Sequence, residues 1–308
     1  MKALVSGASG FIGSSFINKY LYKFDEIYTI GRSKLDECEN IYFDFNDPKL
    51  TQLPNVDYFF HFAAQTSAGK ALDDPTKDLR INVTSTVQIF EQFRKQKIVP
   101  SIILASSVTQ KGYTKLPLKN PNDFIDDPIC FYSLSKLAAE KYLRIYTYNG
   151  FCRGVSLRIA NAFGRINDSG NSDRGVIDKA LLKSLNGEGL EVWGSGDYVR
   201  DYIYVEDIID AFWLASQKIS KINSKNFDIG SGTGIKVFDA FKTVRKIAQE
   251  EVLTQLPSVV LKSDIEISNE MDKRSYIADI SDFSKITGWA PKYNLETGLR
   301  NMIKKLHG

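Results

Sequence analysis

Residues 2–13 read KALVSGASGFIG, and this stretch decides the fold. Its first five residues are a short apolar run typical of a buried strand, and a helical pattern starts at Ser14. The turn between them carries three glycines, which are Gly7, Gly10 and Gly13. In a first βα turn, such glycines allow the tight turn, the approach of a pyrophosphate and close helix–strand packing. The stretch therefore predicts the opening βα unit of a dinucleotide-binding sheet.

The glycine loop is expected to bind the pyrophosphate, because free N–H groups and the dipole at a helix start favour negative charge. The residues predicted to form it are Gly7, Gly10, Phe11, Ile12 and Gly13. At the end of the second predicted strand, Arg32 stands where a NAD-binding chain would place an acid for the ribose 2′-hydroxyl. Arg32 could pair with a 2′-phosphate, so NADP(H) is favoured over NAD(H). The alternative is that Arg32 points to solvent.

Composition limits the class of protein. The 308 residues are 43% hydrophobic and 25% charged, enough for one large or two ordinary domains. A net charge of +3 with both signs interspersed gives no reason to expect a nucleic-acid or membrane partner. There is no signal-peptide pattern, no apolar run near the ~18 residues of a membrane span, and no metal-ligand spacing of cysteine or histidine. We expect a cytoplasmic protein with reduced thiols and no metal.

Apolar runs alternate with helical patterns through the first half of the chain. The runs are continuous, as in strands covered on both faces, and predict a parallel sheet. The predicted strands after the first are 26–30, 41–43, 57–62, 101–106 and 153–159, and the main helices are 76–96 and 131–148. After Asn161 a polar loop at 165–175 leads into a smaller, irregular region. Its predicted helices are 176–186, 236–250 and 296–306, and its strands are 190–193 and 202–205.

Tyr132 and Lys136 lie four residues apart in the predicted helix 131–148 and therefore share one helix face. A cation beside a phenol favours the phenolate, so we expect the pKa of Tyr132 to fall from ~10 towards neutrality. An acid/base group of that kind suits the oxidation of an alcohol. Taken alone, the pair is a weak signal and is more typical of a solvated helix face.

The order of the motifs resembles the extended short-chain dehydrogenase/reductases that modify nucleotide sugars, namely epimerases, dehydratases and 4-ketoreductases. The similar segments are the glycine loop, Asp44-Phe45, 61–64 (HFAA), Asn82, Ser106-Ser107, Tyr132 with Lys136, 157–164, 192–196, 200–205 and 288–291. The resemblance implies an α/β fold, a Rossmann-type doubly wound parallel sheet with a smaller C-terminal α/β substrate lobe. It implies a NAD(P)-binding domain of 1–164 with 200–235 returning to it, and a sugar-nucleotide lobe of 165–199 and 236–308.

The resemblance also implies roles for single residues. Besides the glycine loop, the implied cofactor contacts are Arg32, Asp44, Phe45, Phe62, Ala63, Ala64, Asn82, Ser106, Tyr132 and Lys136. Tyr132 would be the acid/base, Lys136 would also hold the nicotinamide ribose, and Ser107 would orient the reacting oxygen. The implied substrate contacts are Gln65, Ser107, Asn161, Val176, Trp193, Arg200 and Arg274.

Several of these roles have a structural alternative. Ser107 could cap a turn, Arg200 could form a surface ion pair with Asp201, and Trp193 could be core. We interpret His61 as structural rather than catalytic.

Two departures from the family pattern narrow the chemistry. Dehydratases place Asp-Glu after the catalytic hydroxyl, whereas Val108-Thr109-Gln110 follows Ser107 here, so dehydration is disfavoured. No cysteine lies near Ser107 and no histidine lies in the second lobe before His307, which argues against the fucose-synthase type of epimerisation.

A third departure concerns substrate binding. The usual Arg-Pro-Gly-Asp is replaced by 269–272 (NEMD), so a diphosphate arginine is absent unless Arg274 substitutes.

Redox chemistry at C4 of a nucleotide sugar remains. The favoured function is a nucleotide-sugar epimerase with a transient 4-keto intermediate. The alternative is an NADPH-dependent 4-ketoreductase of a 4-keto-6-deoxy sugar. A reductase of a non-sugar ketone and a non-catalytic NADP-binding protein are less favoured. The resemblance further implies a homodimer formed through a two-helix surface.

Overall fold

A computed structural model describes residues 1–50, 52–112, 126–165, 175–252, 255–263 and 270–307. The first elements in chain order are β1 (Lys2–Ser6), α1 (Phe11–Tyr20), β2 (Glu26–Gly31), β3 (Glu39–Tyr42), β4 (Tyr58–His61), α2 (Ala68–Asp73), α3 (Pro75–Leu79), α4 (Ser85–Lys95), β5 (Ser101–Ser107), α5 (Phe131–Tyr148) and β6 (Arg153–Ile159). A π-helical turn, Arg80–Thr84, joins α3 to α4.

The remaining elements are shorter on average and follow β6. They are β7 (Asn161–Phe163), α6 (Val176–Leu185), β8 (Glu191–Trp193), β9 (Val199–Tyr204), α7 (Val205–Gln217), α8 (Ile219–Ile222), β10 (Lys225–Ile229), β11 (Gly234–Lys236), α9 (Val237–Val252), β12 (Val260–Lys262), α10 (Ser281–Thr287) and α11 (Leu295–His307). The predicted loop 165–175 lies outside the described residues except for its two ends.

Within the described ranges, seven strands pair in parallel in the order β10-β6-β5-β4-β1-β2-β3. The chain moves outwards from β1 to β3 and then crosses back to β4. The switch point therefore lies between β1 and β4, where open α/β sheets bind ligands at the carboxyl ends of their strands. This arrangement confirms the predicted Rossmann-type, doubly wound parallel sheet.

The sheet is covered on both faces, as the continuous apolar runs predicted. Leu4 packs in one core with residues of α4 and α5, whereas its neighbours Ala3 and Val5 pack in another core with α1 and α7. Every residue of β5 is buried. Neighbouring residues of a strand point to opposite faces, so a strand with two covered faces must be apolar throughout its length.

Two small sheets lie outside the large one. β9 pairs antiparallel with β11 and parallel with β7, and β8 pairs parallel with β12. The strand predicted at 202–205 begins earlier, at Val199, and ends at Tyr204, because Val205 is already the first residue of α7. β10 joins the edge of the large sheet next to β6. The division of the chain into two domains stays a prediction.

Asp201 ties three segments together. Its fully buried carboxylate accepts hydrogen bonds from the N–H and hydroxyl of Ser231, each at 2.7 Å, from Gly232 N at 3.0 Å and from Ala278 N at 3.1 Å. The alternative of a surface ion pair between Arg200 and Asp201 is therefore wrong. Adjacent residues of a strand point to opposite faces, and Asp201 faces inwards.

None of the described helices combines the length and the hydropathy needed to cross a bilayer.

Candidate active site

The glycine loop closes tightly on itself and on the end of β4. Gly7 has a φ of +67°, and its carbonyl accepts a hydrogen bond from Gly10 N at 2.9 Å. A Cβ on Gly7 would lie 2.7 Å from Ala63 N, and a Cβ on Gly13 would lie 2.1 Å from the Gly7 carbonyl oxygen. α1 then begins at Phe11, and Gly10 has no side chain to cap it. The start of α1 therefore has free N–H groups, and the glycines beside it have no Cβ atoms. Both features fit the pyrophosphate of a dinucleotide.

The other predicted dinucleotide contacts lie along the same edge of the sheet. Arg32 is exposed directly after β2. After β3, the Asp44 carboxylate accepts a hydrogen bond from Asn46 N at 2.9 Å, and the Phe45 ring stacks near His61 with centroids 6.4 Å apart. Beyond β4 follow Phe62, Ala63 and Ala64, and Ser106 is near the end of β5. These residues therefore lie at or just beyond the carboxyl ends of β2, β3, β4 and β5.

His61 is a buried link between two strands and a helix. The Thr86 hydroxyl donates to the Asn82 carbonyl at 2.9 Å, so its oxygen accepts the Nε2–H of His61 at 2.8 Å. Nδ1 then accepts the Ser6 hydroxyl at 2.5 Å, and Ser6 in turn accepts Ala63 N–H at 3.2 Å. Burial, with a smaller contribution from Lys136, lowers the pKa of His61 to about 3. The ring stays neutral, in agreement with a structural role.

Asn82 is the centre of a second polar network. Its side-chain oxygen accepts Gln65 N at 2.8 Å, and its Nδ2 donates to Asp78 and to Ser135, each at 3.0 Å. Gln65 Nε2 donates to Asp78 at 2.8 Å and to the Ser67 carbonyl at 2.9 Å. Both amide hydrogens of Gln65 are therefore engaged within the protein, and its substrate contact stays a prediction.

Tyr132, Lys136 and Ser107 come together where β5 ends and α5 begins. Tyr132 is the second residue of α5, and Lys136, one turn further on, is only 4% exposed. The Ser107 oxygen accepts hydrogen bonds from Thr109 N at 3.3 Å and the Thr109 hydroxyl at 2.9 Å. It also lowers the pKa of Tyr132. Ser107 thus caps a turn, as the structural alternative predicted, and acts on the tyrosine as well.

The pKa of Tyr132 moves opposite to the prediction. Burial raises it to about 12, although the hydrogen bond with Ser107 and the charge of Arg274 lower it. Burial also lowers the pKa of Lys136 to about 8. The prediction considered the charge of the lysine alone, whereas desolvation of the phenol is the larger effect here.

Arg200 and Arg274 lie close together. Arg200 donates to the Asp272 carbonyl at 2.7 Å, and Arg274, only 4% exposed, donates to the Val108 carbonyl at 3.3 Å. Burial, with a smaller contribution from the charge of Arg200, lowers the pKa of Arg274 to about 10.

Within the described residues, neither guanidinium is compensated by a salt bridge. No carboxylate of the described ranges forms one with Arg200 or Arg274, although the charge of Asp272 acts on both. Nε of Arg274 is buried and has no hydrogen-bond partner in the described part of the chain. Two neighbouring guanidinium groups of this kind are suited to an anion such as a diphosphate.

The other predicted substrate residues lie on β7, α6 and β8. Nδ2 of Asn161 donates to the Asp201 carbonyl at 3.0 Å. Val176 is exposed at the first residue of α6. Trp193 is 59% exposed at the end of β8, so the alternative of a core tryptophan is wrong.

Sequence reasoning missed two buried ion pairs near the site. Nε and Nη2 of Arg158 hold both carboxylate oxygens of Glu140, which lies one turn after Lys136. Lys111 Nζ lies 2.6 Å from the Asp228 carboxylate, which also accepts the hydroxyl of Tyr276. The sequence did contain a signal for these ion pairs. Charged residues inside apolar strand patterns need a buried partner, and such residues are Arg158 in β6 and Asp228 in β10.

Comparison with known proteins agrees with this geometry. The model of the NAD dependent epimerase/dehydratase family matches residues 3–230. The UDP-glucose 4-epimerase of Mycolicibacterium smegmatis is 26% identical over 99% of this chain and 98% of its own. The dTDP-4-dehydro-6-deoxyglucose reductase of Escherichia coli is 25% identical over 98% of this chain and 96% of its own.

Among solved structures, the UDP-glucose 4-epimerase of Thermotoga maritima with UDP-glucose superposes with a TM-score of 0.84. It is 25% identical, and the match covers 100% of both chains. The family match covers the glycine loop, the Tyr132 site and the return of the chain to the sheet in β10. The chain belongs to the NAD-dependent epimerase/dehydratase family.

Proposed function

We propose that this protein is a nucleotide-sugar epimerase that inverts C4 of a nucleoside-diphosphate hexose through a transient 4-ketone. The observation that carries the proposal is the shared location of an acid/base group and an anion site. Arg274 donates to the carbonyl of Val108, the residue after Ser107, and its charge acts on Tyr132 and on Arg200, which supports placing the two functions side by side. A diphosphate on the two arginines would bring its own sugar to the tyrosine. UDP-hexoses are the first candidates, since the epimerase relatives act on UDP-glucose.

In this proposal the chain's own residues move one proton. A nicotinamide dinucleotide on the glycine loop supplies the hydride acceptor and, when oxidised, a positive charge. Oη of Tyr132 takes the proton of the C4 hydroxyl and later returns it to the same oxygen when the ketone is reduced. Ser107 Oγ hydrogen-bonds the same substrate oxygen, and the Lys136 ammonium stabilises the phenolate. C4 is inverted because the ketone turns over between the loss of the hydride and its return.

A 4-ketoreductase is the second candidate, and two observations favour it. Burial keeps the Tyr132 phenol protonated, which is the form that donates a proton to a ketone. Arg32 is exposed at the end of β2, where a 2′-phosphate would distinguish NADPH. A reductase of non-sugar ketones would not need the neighbouring guanidinium groups of Arg200 and Arg274. A non-catalytic protein would have no reason to keep Ser107 beside Tyr132.

We also propose a homodimer formed through α5. An exposed apolar stripe follows this helix, with Phe131, Leu134, Tyr142, Ile145 and Tyr148 as its large members and the half-buried Ala138 between Leu134 and Tyr142. Such residues share one helix face, and a contiguous exposed apolar stripe is typical of an interface.

Replacing Tyr132 with Phe tests the chemistry. Purified protein is incubated with UDP-, GDP-, dTDP- and CDP-hexoses and with a 4-keto-6-deoxy sugar nucleotide. We expect C4 epimers without added coenzyme, and a loss of at least about 10²-fold in kcat for Tyr132→Phe. The exposed Tyr142→Phe on the same helix is the control. Stoichiometric consumption of NADPH would support the reductase, and full activity of Tyr132→Phe would refute both.

Replacing Arg274 with Met tests the anion site. The buried methionine retains most of the volume, and KM for the sugar nucleotide is expected to rise about tenfold or more, since a charged hydrogen bond contributes ~1.5–3 kcal/mol. Coenzyme affinity is expected to stay the same. The exposed Arg300→Met is the control, and an unchanged KM for Arg274→Met would contradict the assignment.

Coenzyme titrations test Arg32. We expect NADPH to bind more tightly than NADH, and Arg32→Ser to weaken NADPH about tenfold while NADH is unaffected. Lys34→Ser, a nearby exposed cation, serves as the control. Tighter binding of NADH by the unmodified protein would show that Arg32 only faces solvent.

Sedimentation velocity tests the dimer. Ile145→Asp places a charge in the middle of the apolar stripe and is expected to convert dimers to monomers. Tyr22→Asp, an exposed aromatic position on another face, is expected to leave the dimer intact. Monomers of the unmodified protein at micromolar concentration would rule the interface out.

A further inference from the structure

Asp78 is a buried carboxylate whose hydrogen-bond partners among the described residues are neutral. It is 1% exposed, and its Oδ1 accepts Gln65 Nε2 at 2.8 Å and Asn82 Nδ2 at 3.0 Å. Among the residues that the structure describes, none forms a salt bridge with it. A carboxylate removed from water without a cation is strongly destabilised, so a positive charge is expected nearby.

Lys136 is the corresponding buried cation. Two carboxylates act on it, those of Glu140 and Asp78. Glu140 already has a partner, because Arg158 binds both of its oxygens at 3.0 and 2.7 Å. Arg158 also forms a salt bridge with Asp126 at 2.7 Å. The carboxylate whose charge is not matched by another cation is therefore that of Asp78.

A continuous set of hydrogen bonds fixes Asp78 relative to the catalytic turn of α5. The Asn82 amide that bonds Asp78 also donates to Ser135 Oγ at 3.0 Å, and the Ser135 hydroxyl donates to the Tyr132 carbonyl at 3.0 Å. Asn82 lies in the π-helical turn Arg80–Thr84, a rare conformation that is frequent at functional sites. The network thus joins α3 to the residues between Tyr132 and Lys136.

We propose that Asp78 is the counter-ion of Lys136 and a positioning residue that keeps the lysine protonated beside Tyr132. The inference rests on the proposed function for the roles of Tyr132 and Lys136. It adds a residue outside the Ser–Tyr–Lys group, supplied by α3 and acting through charge.

The charges around the pair determine the direction of the expected change. Burial lowers the pKa of Lys136 to about 8, and Glu140 and Asp78 act against this. His61, on β4, is neutral because its pKa is about 3. Loss of the Asp78 charge would therefore lower the pKa of Lys136 further.

Tyr132 senses the same carboxylate. Cys130 and Asp78 raise its pKa, whereas Ser107 and Arg274 lower it. Removing the Asp78 charge therefore shifts both members of the Tyr132–Lys136 pair in the same direction, towards lower pKa.

Asp78→Asn removes the charge and keeps an oxygen that can accept both amide hydrogen bonds. The titration of Lys136 is followed by NMR of [ε-¹³C]lysine protein, with Lys136→Met to assign its signal. We expect the midpoint to fall by about half a unit to one unit, since a nearby opposite charge shifts a pKa by ~1–3 units. Asp74→Asn, an exposed cap of α3 that asparagine replaces equally well, should leave the midpoint unchanged. An unchanged midpoint in Asp78→Asn would overturn the proposal.

A second pair of variants covers the case in which Asp78→Asn does not fold alone. Lys136→Met leaves Asp78 without its cation and should lower the urea midpoint of unfolding. Adding Asp78→Asn to it should restore that midpoint if the two charges are partners. A double variant less stable than Lys136→Met would overturn the proposal.

Kinetics separate this inference from the proposed function. In Asp78→Asn the alkaline fall of kcat/KM should move to lower pH by the same amount as the lysine titration, with activity retained on the acid side. A purely structural role would lower activity equally at every pH. Unmodified protein that converts no sugar nucleotide would refute the proposed function, while the lysine titration would still decide on Asp78.

Discussion

The parallel pairing of β1 with both β2 and β4 is the constraint on which the site depends. It places the glycine loop, which follows β1, at the switch point of the sheet. Backbone contacts there are so close that a Cβ on Gly7 would lie 2.7 Å from Ala63 N. The carboxyl ends of the strands therefore meet at one edge, and residues far apart in sequence become neighbours. One example is the approach of Ser107, at the end of β5, to Tyr132, at the start of α5.

The cleft at this edge contains more buried charge than the chemistry of a single tyrosine requires. Arg274 is buried and forms no salt bridge with the residues that the structure describes. Lys136 is buried with its pKa lowered to about 8, and Asp78 is buried among amides. Burying such groups destabilises the fold unless each one finds a partner. In our account the sugar diphosphate is the partner of the arginines and Lys136 is the partner of Asp78. Substrate binding and acid/base chemistry are then linked through one electrostatic system.

Most of the sheet could be predicted because its signals are local. The glycine loop and the continuous apolar runs need no knowledge of tertiary contacts, and helix 131–148 was predicted with the bounds that the structure shows. The electrostatic properties could not be predicted in this way. The pKa of Tyr132 depends on desolvation, and the inward orientation of Asp201 depends on Ser231 and Ala278. The partner of the Asp78 carboxylate can be inferred only when the packing of α3 against α5 is known.

The central claim, that C4 is inverted by one hydride leaving and returning, is tested most directly with UDP-glucose deuterated at C4. The protein is incubated with this sugar in ordinary water without added coenzyme, and the product is examined by NMR and mass spectrometry. The account predicts the C4 epimer with its deuterium retained at C4. Loss of the deuterium to solvent, or inversion at another carbon, would contradict it.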